Sequence, residues 1–213
     1  MLLSVIIPSW KDPYLIKTID SLLDNSRLGD QLEIIPVLDG YWRDDIQDDP
    51  RVKILHLGKN RGMRDAINAG VSIARGTFIM RTDENCMFSP GYDKELTGTC
   101  QSDWIMTMRR YFLDPNKWEV MSLDYIDYEK MALREGMKFE GRRWTERKKK
   151  RSYMDIDETM AMQGSMWIMT REWWDKTIGK LQKEGYGPLY QDSTEMIFKT
   201  WQAGGKLMVN KRS

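Results

Sequence analysis

Apolar positions follow two alternating rhythms in the first part of the chain. Residues 3–7 (LSVII), apolar except for Ser4, form a continuous run that stops at Pro8, and its length and β-branching predict a buried strand. Asp12-Pro13 then reads as an N-cap and a first-turn proline. Leu15, Ile16, Ile19, Leu22 and Leu23 follow at helical spacing. Residues 32–38 (LEIIPVL) predict a second strand ending at Asp39-Gly40, and 52–57 (VKILHL) a third. A helix is expected from about Asn60, because Met63, Ala66, Ile67, Gly70, Val71 and Ala74 share one face; Gly76 is expected to end it. Residues 77–82 (TFIMRT) predict a fourth strand. Further on, 104–112 reads as a strand, 128–154 as a polar, basic helix followed by a mobile loop, and 160–169 as a strand. Residues 171–184 and 192–203 read as helices and 206–210 as a last strand.

This alternation predicts an α/β fold, a single domain over 1–213 with a mostly parallel central sheet flanked by helices and right-handed crossovers. Ligands of such folds bind beyond the carboxyl ends of the strands. Ser9, Asp39 and Asp83 each fall just past such an end.

Composition narrows the classes. A net charge of +1 removes a global bias towards nucleic acid, and no nucleic-acid partner is expected. Two cysteines are too few for a disulfide scaffold and fit a reducing, cytoplasmic setting. The first residues lack the basic segment of a signal peptide, and no apolar stretch is long enough for a transmembrane segment. The one histidine, His56, argues against histidine triads and histidine-rich metal sites. Nine tryptophans and sixteen methionines suit core packing, or, for tryptophan, platforms for the apolar faces of sugar rings.

Five groups of residues have chemistry to offer. Asp83-Glu84-Asn85 at a strand end offers hard oxygen ligands to Mg2+ or Mn2+, or is a plain surface turn. Gly58 to Arg64 opens the long helix, where backbone N–H groups, with Arg61 and Arg64, favour an anion; a capped helix start reads equally well. Asp39 can accept hydrogen bonds from a base or a ribose, or cap the next turn. Asp192 and Glu195 share one helix face and suit a general base or a grip on sugar hydroxyls; acids at a helix start are also favoured on their own account. Residues 142–151, seven of them basic, could bind RNA, a phosphorylated acceptor or anionic lipid, or form a solvated loop.

The order of these signals carries a resemblance. SVIIPSWKDPYLIKTIDSLL resembles the opening of glycosyltransferase family 2, and IIPVLDG its strand ending in Asp-Asp-Gly, with Leu38 in place of the first acid. NRGMRDAINAGVSIARGTFIMRTDEN is similar to that family's Asn-x-Gly to Asp-x-Asp block almost throughout. MQGSMWIMTREWW and DSTEMIFKTWQAGGKL resemble segments of the polypeptide N-acetylgalactosaminyltransferases. Together the matches cover about two thirds of the chain and leave 104–158 unmatched.

The resemblance implies a GT-A (nucleotide-diphospho-sugar transferase) fold, with a nucleotide-binding half over 1–103 and an acceptor- and sugar-binding half over 104–213. The implied activity is metal-dependent transfer of a hexose-type sugar from a UDP-sugar to a glycan, glycoprotein or lipid acceptor. By position, Pro8, Ser9 and Trp10 would line the nucleobase pocket with Asp39 reading the base. Gly62 and Arg64 would face ribose and phosphates, Asp83, Glu84 and Asn85 the donor, with Asp83 and Asn85 on Mn2+ or Mg2+. Gly164 and Ser165 would border the sugar pocket, and Asp192 would contact sugar or acceptor, supported by Glu195.

The chain departs from the pattern at three places. Asn85 replaces an acid or histidine, which implies weak metal affinity without bound nucleotide. A metal-ligand histidine found in the related group beyond the last strand is missing before Ser213, which leaves room for further domains C-terminal to that residue. Ser193 stands where inverting relatives place a catalytic Asp, which favours retention of configuration. The alternatives are a sugar-nucleotide-binding protein without transfer activity, and an RNA- or anionic-surface-binding module using 142–151. A sugar-nucleotide pyrophosphorylase would normally carry a glycine-rich loop after the first strand, and IPSWKDP has no glycine.

Overall fold

A computed structural model describes residues 2–135, 138–183 and 192–213 of the chain, without the side chains of Arg134 and Lys138. The expected opening alternation is present. Strand β1 (Leu3–Ser9) leads to helix α1 (Leu15–Asn25), then to β2 (Leu32–Asp39) and β3 (Leu55–Leu57). Helix α2 (Met63–Ile73) and strand β4 (Phe78–Thr82) follow. Helix α3 (Tyr92–Thr99), which the periodicity did not signal, leads into β5 (Trp104–Met108).

One eight-stranded sheet runs in the order β10-β12-β5-β11-β4-β1-β2-β3, where β10 is Ile156–Glu158, β11 Met166–Thr170 and β12 Lys206–Asn210. Strands β1 to β4 are mutually parallel. β11 is antiparallel to both β4 and β5, so β5 and its parallel partner β12 run with β1 to β4. Only β11 and the edge strand β10 oppose the rest. The mostly parallel α/β sheet expected from the alternation is therefore observed.

Side chains of β1 alternate between two cores, as the pleat requires. Leu3, Val5 and Ile7 pack with Leu15, Ile19 and Leu22 of α1 and with Tyr92 and Leu96 of α3. Ile6 packs on the opposite face with Ala66, Ile67 and Val71 of α2. Gly70 lets α2 approach the sheet: a Cβ there would lie 2.6 Å from Ile6 Cγ2 and 3.1 Å from Val37 Cγ2. Helix propensity alone favours alanine over glycine by about 1 kcal/mol. Overpacking costs about 1–3 kcal/mol, so Gly70→Ala is expected to destabilise; a lower urea midpoint at unchanged slope would register it.

Several boundaries differ from the sequence reading. Helix α1 starts at Leu15 with Tyr14 as its cap residue; Asp12 instead accepts the Tyr14 N–H at 2.7 Å, in a turn just before the helix. Only Leu55–Leu57 of the third run forms a strand, with an isolated bridge from Val52 to Ile34. Helix α2 stops at Ile73, before Gly76. Gly76 serves a close approach instead, since a Cβ there would sit 2.6 Å from the Ser4 nitrogen.

The run 104–112 is two strands. β5 ends at Met108 and β6 (Arg110–Asp114) pairs with β7 (Glu119–Ile126) in a separate hairpin. Arg109 marks the break: its N–H donates to the Asn210 carbonyl and its guanidinium is held by Asp127 at 2.7 and 3.0 Å.

The helix expected in 128–154 is instead a hairpin of β8 (Glu129–Arg134) and β9 (Lys138–Arg143), followed by a short helix α4 (Thr145–Lys150). Tertiary pairing overrides the helical propensity of EKMALR, because the Glu129 carbonyl accepts from Met160 and Ala161. Nor is 142–151 simply a solvated loop. Arg143 pairs with Asp124, Arg147 with Asp157, and the Lys148 ammonium lies 3.5 Å from the centre of the Tyr125 ring.

Within 160–169 only Met166 onward is strand. The helix expected from 171 comprises α5 (Arg171–Trp173) and a π-turn at Trp174–Ile178, and ends at Gly179, whose φ is +66°. Its last predicted residue, 184, lies outside the described residues. Helix α6 (Asp192–Gln202) and β12 close the fold as expected. Among the described residues no helix is long and apolar enough to cross a membrane.

Candidate functional site

A cleft of about 510 Å³ opens at the carboxyl ends of β1, β2 and β4. Pro8, Ser9, Trp10, Asp39, Gly62, Asp83, Glu84 and Asn85, all named from the sequence, line it. Asp12, Asn60, Met63, Ala66 and Arg81 complete the wall. Parallel strands bring their C-terminal ends to one edge, so residues far apart in sequence meet there.

Asp39 is buried and spans the floor. Its two carboxylate oxygens accept the N–H groups of Arg61 (2.7 Å) and Gly62 (2.8 Å), which fixes the turn into α2. The capping role weighed for Asp39 is thus observed. Gly40, at φ +81°, lets the same turn close: a Cβ there would be 2.2 Å from the Asn60 nitrogen. Ser9 shares a hydrogen bond with the Tyr41 hydroxyl, a partner the sequence did not signal.

Asp83 and Glu84 turn to different sides. The Asp83 N–H donates to the Ser165 carbonyl at 2.9 Å, extending the β4–β11 ladder and bringing Gly164 and Ser165 beside the site. Its carboxylate accepts from Arg81 at 2.5 Å. Glu84 reaches back to the Trp10 N–H at 3.1 Å and so ties the segment after β1 to the segment after β4. Burial pushes its carboxyl up to about 7, against the hydrogen bonds from Ser9 and the Trp10 N–H, which favour the charged form. A raised folded-state value makes the Glu84 contribution to stability complete below its ordinary value of 4.5 and lost as pH rises through about 7. Glu84→Gln is therefore expected to gain stability relative to the parent as pH rises from 4.5 to 7; melting temperatures of the pair across that range would test it.

Arg64 does not face the cleft. It is buried, bonded to the Glu195 carboxylate and to the Gln182 carbonyl at 3.0 Å. The ribose and phosphate role read for it from the sequence is corrected by helix phase: Met63 and Ala66, one turn apart, take the cleft side and rotate Arg64 away. Arg61 lines a neighbouring polar recess of about 490 Å³ with Lys59, Asp65 and Lys183. Glu195 is buried among Arg64, Lys199 and the Gln182 N–H, so it supports rather than faces the cleft.

Asp192, at the start of α6, is 2% exposed. Burial raises its carboxyl above the usual carboxylate value, opposed by the Arg81 charge. A Cβ on Gly164 would meet its carboxylate at 3.1 Å and Arg81 Nη1 at 3.6 Å. Arg81, on the cleft wall, and Asp192 thus border the same space at Gly164 without a direct hydrogen bond between them. The sequence reading missed it, although an arginine inside the apolar strand FIMRT was the available signal.

Glycosyl transferase family 2 is the family whose model matches residues 4–178. The chain belongs to it. An uncharacterized glycosyltransferase of Bacillus subtilis (strain 168), EpsJ, is 35% identical over 104 residues, which cover 45% of this chain and 29% of that protein. Among solved structures, GalNAc-T7 with UDP, GalNAc and Mn2+ superposes with a TM-score of 0.74 at 16% identity, over 98% of this chain and 41% of that one. Residues 1–349 of TarS from S. aureus superpose at 0.67 and 14% identity, over all of this chain and 59% of that one. The likeness to these structures establishes the GT-A fold. The chain spans less than two thirds of the length of each of these relatives.

Asp83 and Asn85 both line the cleft and offer a carboxylate and an amide oxygen. Among the described residues no three His, Cys, Asp or Glu side chains gather as a metal cage. One carboxylate and one amide fit a hard divalent ion that takes the rest of its shell from phosphates and water, as Mg2+ and Mn2+ commonly do.

Proposed function

We propose that this family 2 member is a glycosyltransferase that moves a hexose-type sugar from a UDP-sugar to a hydroxyl of a glycan, glycoprotein or lipid, and that Asp83 and Asn85 are the residues that would hold Mn2+ or Mg2+. The observation that carries the reading is the convergence of Asp39, the turn at Gly62 and Asp83–Asn85 in one cleft. The presence of UDP and Mn2+ in GalNAc-T7, a protein of the same fold, supports it.

In this reading Pro8, Ser9 and Trp10 border the base. The remaining lone pairs of Asp39 face base or ribose, and its hold on the Arg61 and Gly62 amides keeps the phosphate-facing turn rigid. Glu84 closes the base pocket through Trp10. A divalent ion held by Asp83 and Asn85 would supply Lewis-acid stabilisation of the departing diphosphate. Gly164 and Ser165 leave room for the sugar, and Asp192 receives its hydroxyls or the acceptor. The acceptor oxygen bonds to the anomeric carbon, the bond to the diphosphate breaks with its electron pair, and the acceptor proton passes to a departing diphosphate oxygen or, in direct displacement, to Asp192. The nucleotide-binding part is 1–103 and the acceptor part 104–213.

Ser193, in place of a catalytic acid, supports retention of configuration. Asp192 Oδ2, without a partner among the described residues, supports a second reading, direct displacement with Asp192 as base and inversion. The anomeric configuration of the first-formed product by NMR decides between them. Titration calorimetry of UDP and several UDP-sugars with and without Mn2+ tests the whole reading. Metal-enhanced binding with one preferred sugar is expected; no binding to any of them would overturn it.

A further inference from the structure

Arg81 occupies a position where its chemistry is costly. It lies inside β4 between Met80 and Thr82, and its side chain is 2% exposed. Burying a guanidinium in a sheet is justified energetically only by good pairing, and an apolar side chain of similar volume often serves stability as well or better. The pairing here is incomplete. Nη2 donates to Asp83 Oδ1 at 2.5 Å and lies 3.1 Å from Met63 Sδ, while Nε has no partner among the described residues. Close by, the buried Asp192 has one carboxylate oxygen, Oδ2, also without a described partner. The two groups border the same small space above Gly164, where a Cβ would be 3.6 Å from Arg81 Nη1 and 3.1 and 3.4 Å from the Asp192 oxygens.

We propose that Arg81 is a positioning residue that sets Asp83 and Asp192 as one unit, so that the diphosphate end and the sugar end of the site are aligned by a single guanidinium. This rests on the donor reading above. The planar fork has five N–H donors in fixed directions, enough to hold one carboxylate and address a second. Lysine, a point charge on a flexible stem, cannot hold both directions at once. Asp83, held by Arg81 through Oδ1, lines the cleft, and Asp192 lies across the space that the guanidinium borders. Gly164 keeps the shared space open, because any side chain there would enter it.

The test uses the full chain with Arg81→Gln, Arg81→Lys, Asp192→Asn and the Arg81→Lys/Asp192→Asn double variant. Melting temperature confirms folding. Calorimetry measures UDP affinity with and without Mn2+. In Arg81→Gln the Mn2+ enhancement of UDP binding is expected to fall about 10-fold or more, since a charge-assisted hydrogen bond is lost. Metal-free UDP binding should change less than about 3-fold, since that part of the site is untouched. Arg81→Lys should restore only part of the enhancement, and it carries the test alone if the glutamine variant does not fold. In transfer assays the double variant should lose little more kcat than the worse single variant, as residues acting as a unit do. Unchanged Mn2+ enhancement in the folded variants, or kcat losses that multiply, would show Arg81 to be structural only. A parent protein that binds no UDP under either condition would instead overturn the donor reading itself.

Discussion

Asp83→Ala is expected to lower sugar transfer about 100- to 1,000-fold, the range seen when one group stabilising developing charge is removed. In the proposed reading Asp83 is the one carboxylate of the Asp83/Asn85 pair that would hold the ion, so its loss leaves one neutral amide. The fold should persist. The Asp83 backbone, not its side chain, carries the hydrogen bond to Ser165 that continues the sheet. The side chain is 39% exposed, and water screens its pair with Arg81. Arg81, itself 2% exposed, loses this counter-charge, so a stability cost of about 2–3 kcal/mol is expected, below that of the pair at Glu195 where both partners are buried. Asp83→Asn keeps an acceptor for Arg81 and should be nearer the parent in stability, but nearly as inactive. Donor hydrolysis and transfer assays beside melting curves separate these outcomes. Transfer at the parent rate by a folded Asp83→Ala protein would remove the metal and donor assignment.

The largest stability effect is expected at Glu195. Its carboxylate is 1% exposed and serves Arg64, Lys199 at 2.8 Å and the Gln182 N–H at 3.2 Å. Arg64 belongs to α2, Gln182 follows the π-turn and Lys199 is on α6, so one side chain joins three parts of this face of the sheet. Glu195→Ala leaves the buried Arg64 guanidinium without this counter-charge, and breaking such a pair from one side costs about 3–5 kcal/mol. For a chain of this length that lowers the melting temperature by roughly 10 °C. Glu195→Gln, which keeps an acceptor but not the charge, should fall between. A shift of only a degree or two in Glu195→Ala would mean that Arg64 finds water or another acceptor, and that the ion pair contributes little.

Much of the fold was legible because its signals are local. Buried parallel strands appear as short β-branched runs, and helices beside them as apolar stripes with small residues where they touch the sheet. Ala66 and Gly70 on α2 are the clearest instance. The cleft residues at the ends of β1, β2 and β4 were legible for the same reason: a strand ending in a polar turn marks its own C-terminal edge, and parallel pairing gathers those edges. The hairpins of 110–143 were not legible. EKMALR and KFEGRR have no strong strand pattern, and they form strands because they pair with each other and with Ala161.

By itself, then, the amino-acid sequence determined the α/β alternation, the family and the residues at the mouth of the cleft, all of which depend on neighbours a few positions away. The tertiary structure decided where the long charged side chains point. Arg64 turned inward to Glu195, Asp39 gave its oxygens to the turn at Gly62, and Arg81 paired with Asp83 beside the space it shares with Asp192. A guanidinium or carboxylate taken from water goes to whatever opposite charge or N–H the fold brings within reach, and those partners lie as far as 131 residues away in sequence.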